Sequence, residues 1–98
     1  MQVLIHIPGS LRQYCGGARQ VRVECDQAST LGRVFDRLRA EHPGVVERAL
    51  DVQGKLREHV NVFVDGQSVR AGSRRGLETP VGASAEVWIL PAVSGGQF

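Results

Sequence analysis

Ser29-Thr30-Leu31-Gly32-Arg33-Val34-Phe35-Asp36-Arg37-Leu38-Arg39-Ala40-Glu41-His42 decides the fold. Leu31, Val34, Phe35 and Leu38 recur at i, i+3, i+4 and i+7, the spacing of a single helical face. Ser29 or Thr30 can cap the first turn with a side-chain oxygen, and Pro43-Gly44 ends the run. A helix that is apolar on one side only must cover another surface, so the flanking segments have to supply a sheet.

Upstream, Gln2 to Ile7 alternates with Val3, Ile5 and Ile7 on one face, a half-buried strand closed by Pro8-Gly9. Gly16-Gly17 breaks the chain before Val21-Arg22-Val23-Glu24-Cys25, where alternation resumes with Cys25 on the valine face. The two strands read as a hairpin. Downstream, Val45 to Leu50 suggests a short helical turn, and Gln53-Gly54-Lys55 reads as a loop. His59-Val60-Asn61-Val62-Phe63-Val64 is the strongest strand, and Asp65-Gly66 turns it into Gln67-Ser68-Val69. Ala71 to Gly76 reads as a surface loop. Glu86-Val87-Trp88-Ile89-Leu90 is a last strand, stopped by Pro91.

The order strand, strand, helix, strand, short strand, strand describes an α+β, ubiquitin-like β-grasp domain. It has a mixed sheet of four to five strands with one main helix across it. In this topology the first and last strands pair side by side in the middle of the sheet. The domain is expected to span residues 1–91, with 92–98 as a flexible C-terminal tail.

Composition agrees with one compact body: 98 residues, 42% hydrophobic, leave room for a single core. The net charge is +2, from eleven scattered arginines and Lys55 against ten acidic residues, and only five aromatics are present. A nucleic-acid binder would concentrate that charge in a stripe interleaved with aromatics, so no nucleic-acid partner is expected. Arg33 and Arg37 on the helix read as solvated charge. The apolar start stops too soon for a signal peptide or a membrane span, which predicts a cytoplasmic protein with no membrane partner. One pair of cysteines is no disulfide framework. Cys25 reads as core and Cys15, in a loop after Tyr14, as an ordinary exposed thiol.

No catalytic constellation emerges. His6, His42 and His59 lie apart with no second ligand nearby, which argues against a metal site, and Asp65-Gly66 and Glu78-Thr79-Pro80 are turn chemistry. Seven residues, Ala92 to Phe98, follow Pro91 and reach roughly 20 Å or more when extended. Gly95-Gly96 lacks Cβ atoms and can thread a narrow channel toward a reactive centre, with Val93 and Ser94 behind it. Gly16-Gly17 is followed by a whole domain and reads as a turn.

Two segments carry a resemblance. Gly54-Lys55-Leu56-Arg57-Glu58-His59-Val60-Asn61-Val62-Phe63-Val64-Asp65-Gly66 and Val87-Trp88-Ile89-Leu90-Pro91-Ala92-Val93-Ser94-Gly95-Gly96 make the chain similar to the ubiquitin-like sulfur carriers of the thiamine and molybdopterin pathways, most of all the carrier of cysteine synthesis. The resemblance implies a protein substrate rather than an enzyme. Gly96 would be adenylated by an ATP-dependent adenylyltransferase and converted to a thiocarboxylate, and a sulfur-accepting synthase would consume the sulfur. No cofactor would be bound, since ATP belongs to the activating enzyme. Gln97 and Phe98 depart from the mature pattern by leaving Gly96 in a peptide bond. The resemblance supplies a remedy, trimming by a zinc metalloprotease that removes them as a cap. Phe63, Val69 and Leu77, with Arg74 and Arg75, are candidates for docking onto the activating enzyme. Two other roles fit the same sequence: the small subunit of molybdopterin synthase, and a non-covalent ubiquitin-like interaction module.

Overall fold

The computed structural model describes residues 1–27, 29–58, 60–69, 74–82 and 85–91, with the side chains of residues 74, 75 and 91 outside that description. The sequence-predicted loop at Ala71–Gly76 and the whole tail therefore fall partly or wholly outside the described residues. The main sheet has five strands. They are β1 (Gln2–His6), β2 (Gln20–Glu24), β4 (Val60–Val64), β5 (Gln67–Val69) and β7 (Glu86–Pro91), in the order β2-β1-β7-β4-β5. A separate two-residue ladder joins β3 (Ser29–Thr30) to β6 (Pro80–Val81).

Across one face lie α1 (Leu31–Glu41) and α2 (Pro43–Ala49). The expected cap is present, with the Arg33 amide donating to Thr30 Oγ1 at 3.4 Å. Leu31, Val34, Phe35 and Leu38 are all buried, as their spacing requires, against Val3, Ile5, Val23, Val62, Val87 and Ile89 from the sheet. The short turn expected at Val45–Leu50 is a seven-residue helix that starts at Pro43, because proline suits the first helical position. Arg57 finishes it from a distance: its guanidinium donates to the Glu47 carbonyl at 3.1 Å and to the Leu50 carbonyl at 3.0 Å, satisfying groups left free where the helix ends.

β1 and β7 run parallel in the centre, with Leu4, Ile5 and His6 opposite Glu86, Val87 and Trp88. β7 also pairs antiparallel with β4 from Val87 to Pro91. The hairpin from β4 to β5 turns at Asp65 (φ 48°) and Gly66 (φ 84°). Both occupy the left-handed region that Asp-Gly adopts at least cost. Asp65 does more than turn: its Oδ1 accepts the Glu86 amide at 3.0 Å, and its own amide donates to the Glu86 carbonyl at 3.0 Å. This pins the start of β7.

Two expectations fail. The loop after β1 is a 3₁₀ helix, Gly9–Cys15, and it carries Cys15 inward to 6% exposure, where Sγ lies 3.4 Å from the Ala18 carbonyl. Cys15 is therefore a buried thiol, not an exposed one. The 3₁₀ helix lies against α2, where the Arg48 guanidinium stacks 3.7 Å above the Tyr14 ring and Gly44 leaves space that a Cβ would fill 2.9 Å from Tyr14 Cδ1. Arg74–Leu77, expected within or next to a surface loop, forms a single helical turn, α3. Short-range loop signals cannot see either packing partner.

Candidate functional site

β7 is the element that leads to the tail. Its start is held by Asp65, its middle is paired on both sides, and its end at Pro91 is paired by β4 alone, because β1 leaves the sheet after His6. Alternation along β7 sends Val87 and Ile89 into the core, while Trp88 and Leu90 remain 42% and 38% exposed on the face away from the helices. Single exposed apolar residues are ordinary, but these two share one strand and one face.

Their neighbours extend that face. The His6 ring stacks on Trp88 with centroids 3.6 Å apart and planes 6° from parallel. His6 Nε2 lies 2.7 Å from Glu86 Oε1, and Gln20 Nε2 lies 3.5 Å from His6 Nδ1. One neutral tautomer satisfies both contacts, with the amide donating to Nδ1 and Nε2–H donating to the carboxylate. Phe63, half-buried, is the direct cross-strand partner of Trp88 on β4. Leu4 and Asn61 complete the surface, opposite Glu86 and Leu90 respectively.

Next to this face, in the gap that β1 leaves beside the end of β7, is a cleft of about 230 Å³. Ile7, Pro8, Trp88 and Leu90 form apolar walls, and Arg12 and Arg19 are its cationic lining. The Arg12 Nε donates to the Ile7 carbonyl at 3.0 Å, which fixes that side.

The sequence-predicted site residues fall into three groups. Val93, Ser94, Gly95, Gly96, Gln97 and Phe98 lie outside the described residues, as do the side chains of Arg74 and Arg75. Phe63 stands on the open face of the sheet. Val69 and Leu77 do not join it: Val69 is buried at 7% exposure on the helix side, and half-buried Leu77 packs against the core near Gly32. The expected three-residue patch is thus not one surface. Sequence reasoning missed Trp88 and Leu90 as its replacement, although their alternation with Val87 and Ile89 in Glu86–Leu90 was the available signal.

Of the two thiols, Cys25 has its pKa pushed up by burial, against a smaller opposing pull from the Arg37 cation, so it is a poor nucleophile at neutral pH. Among the described residues no group of three His, Cys, Asp or Glu side chains is placed to hold a metal ion, and no helix is long and apolar enough to cross a membrane.

Comparison with known proteins extends the resemblance to the full chain. The profile of the ThiS family matches residues 5–96. Sulfur carrier protein CysO of Mycobacterium tuberculosis is 40% identical over 98 residues, covering 98% of this chain and all of that protein. Its crystal structure superposes with a TM-score of 0.80 over 93% of this chain and 99% of that one. Small archaeal modifier protein 1 of Haloferax volcanii is 34% identical over 80 residues, 82% of this chain and 85% of the relative. The crystal structure of the Amycolatopsis orientalis BexX/CysO complex contains a chain 35% identical to this one, with a TM-score of 0.79, covering 96% of this chain and 99% of that one.

Proposed function

Because the chain belongs to the ThiS family, we propose that it is a sulfur carrier whose reactive end is Gly96, exposed by removal of Gln97-Phe98. The observation that carries this reading is the match to the ThiS family over residues 5–96, which takes in the domain and Gly95-Gly96 together, beside the match to a sulfur carrier protein over 98% of the chain. The fold suits the role. The central strand β7 is anchored at Asp65 at its start and runs to Pro91 along the open face that carries Phe63, Trp88 and Leu90.

The chemistry belongs to partner enzymes. A carboxylate is a poor electrophile until one oxygen becomes part of a leaving group. An adenylyltransferase joins the Gly96 carboxylate to AMP and releases pyrophosphate from ATP. A sulfur nucleophile then adds at the acyl carbon and AMP departs, leaving the thiocarboxylate for a sulfur-accepting synthase. Before this, a zinc metalloprotease hydrolyses the Gly96–Gln97 bond. The carrier contributes a rigid handle, a tail thin enough to enter those active sites, and the open sheet face for docking. The existence of a BexX/CysO complex supports the view that such carriers are recognised by partners as folded proteins.

A second reading is favoured by the likeness to the archaeal modifier protein: activated Gly96 is passed to an amine of another protein instead of to sulfur. One experiment separates the readings. Intact mass and C-terminal fragmentation are measured on protein from its native cells, with alkylation to trap any thiocarboxylate. The carrier reading expects a species that ends at Gly96 with one oxygen replaced by sulfur. Lysines bearing the Gly96 acyl group, with no sulfur-loaded form, would favour the modifier. Retention of Gln97-Phe98 in every molecule, even under sulfur starvation, would defeat both.

A further inference from the structure

β2 forms one edge of the five-stranded sheet, and no strand lies beyond it among the described residues. An open edge is a row of backbone donors and acceptors that can template a further strand. The phase of that row is set by the pairing with β1. The Ile7 amide donates to the Arg19 carbonyl at 2.9 Å and the Cys25 amide to the Met1 carbonyl at 2.8 Å, in the register that places Val3 opposite Val23 and Ile5 opposite Val21. Odd-numbered residues of β2 therefore direct their backbone groups to β1, and Gln20, Arg22 and Glu24 present theirs outward. None of the turn, loop or cap hydrogen bonds among the described residues uses those three.

The side chains select the strand that fits. Arg22 and Glu24 are exposed, whereas Val21 and Val23 are buried on the helix side. Charges on an edge normally discourage pairing. Here they are opposite in sign and flank Val23, so the strand is complementary to its own reverse. An antiparallel copy centred on Val23 sets each Arg22 opposite the other copy's Glu24, and these are the positions whose outward backbone groups meet. Centring on Arg22 or on Glu24 would oppose like charges, and centring on Val21 would set Arg22 against Gln20. A one-residue slip would turn one copy's valines away from the core layer. Among the described residues Arg22 makes no ion pair, and Glu24 has only the N-terminal ammonium at 3.8 Å.

We propose that two copies of this chain pair antiparallel along β2, about a two-fold axis through Val23, into one continuous sheet. The interface is isologous, with the helices of both copies on the same face. Each Arg22–Glu24 pair exchanges two backbone hydrogen bonds and adds a cross-strand ion pair. A contact this short belongs with small interfaces, so the association is weak and concentration-dependent. Phe63, Trp88 and Leu90 lie on β4 and β7, so pairing leaves the open face uncovered and repeats it on one surface.

Sedimentation velocity on the full 98-residue chain, from about 10 µM to about 1 mM, covers the range in which a small interface fills. The parent should shift from monomer toward dimer as concentration rises. Arg22→Glu and Glu24→Arg should each weaken pairing roughly tenfold or more, since both cross-strand pairs become like-charged. An equimolar mixture of the two variants should restore it, because each copy then meets the opposite charge at both positions. Amide exchange at Arg22 and Glu24 should slow as the dimer fills, while Val21 and Val23, already bonded to β1, keep their rates. A parent that stays monomeric throughout would overturn the inference. So would single variants that pair as the parent does, a mixture that stays monomeric, or a dimer whose Arg22 and Glu24 amides exchange at the monomer's rate. Sulfur loading at Gly96 is independent of every one of these outcomes.

Discussion

On the helix side of the sheet, Val3, Ile5, Val62, Val87 and Ile89 are sealed beneath α1 and α2. On the other side Leu4, His6, Phe63, Trp88 and Leu90 carry no covering layer among the described residues. The two sets alternate along the same strands, one residue apart, with the same backbone hydrogen bonds beneath them. The inner set is there to keep the domain folded. The outer set contributes less to that, and it is the surface proposed above to meet a partner.

The sharpest test of the contrast is Leu38→Ala, which empties a fully buried position facing the inner set. It should cost about 2–5 kcal/mol of stability in urea unfolding, since both transfer energy and packing are lost. Binding of the remaining folded fraction to the proposed activating enzyme should be unchanged. A smaller effect follows from Trp88→Ala. Truncating an aromatic anchor at an interface typically costs about 2 kcal/mol or more of binding, close to thirtyfold in affinity. Calorimetric titration with the proposed activating enzyme should find that loss while the urea midpoint moves far less than for Leu38→Ala. Equal affinity with and without the indole would break the assignment of roles to the two faces.

Asp51 belongs to neither face and should give the smallest effect. Its Oδ1 accepts the Gln53 amide at 2.8 Å and the Lys55 amide at 3.0 Å. The Lys55 amide is the main cause holding its carboxyl below the usual carboxylate range, partly opposed by desolvation. A lowered native pKa means that the ionised side chain stabilises the fold fully above the unfolded value, near pH 4. That contribution fades as pH falls through the lower native value. Asp51→Ala should therefore reduce the urea midpoint slightly at pH 7, and the difference from the parent should shrink in acid. A difference that grew on acidification would reverse the sign, and any loss of partner binding would enlarge the functional surface beyond the open face.

Much of this was legible in one dimension. The stripe Leu31, Val34, Phe35, Leu38 and the alternation in β1, β2 and β4 each depend on residues a few positions apart, so spacing alone assigns their faces. The Asp-Gly turn likewise carries its own geometry. The 3₁₀ helix and the ends of α2 were less legible, because Tyr14 on Arg48, Tyr14 against Gly44 and Arg57 on the last carbonyls of α2 join residues seven or more positions apart. The docking surface failed for a related reason. Phe63, Val69 and Leu77 are all apolar, yet only the register of β4 with β5 and β7 shows that Val69 faces inward and that Trp88 stands beside Phe63.

The sequence by itself determined the order of the five main strands and of α1, and the core face of each, since periodicity and backbone preference act within a few residues. Only the tertiary structure decided that β1 abandons β7 after His6 and opens a cleft beside Trp88 and Leu90. It also decided that His6 stacks on Trp88 eighty-two positions away, and that Cys15 is sealed from solvent. Such features come from strands meeting across the sheet, where loop closure brings together side chains whose separation along the chain carries no trace of their contact.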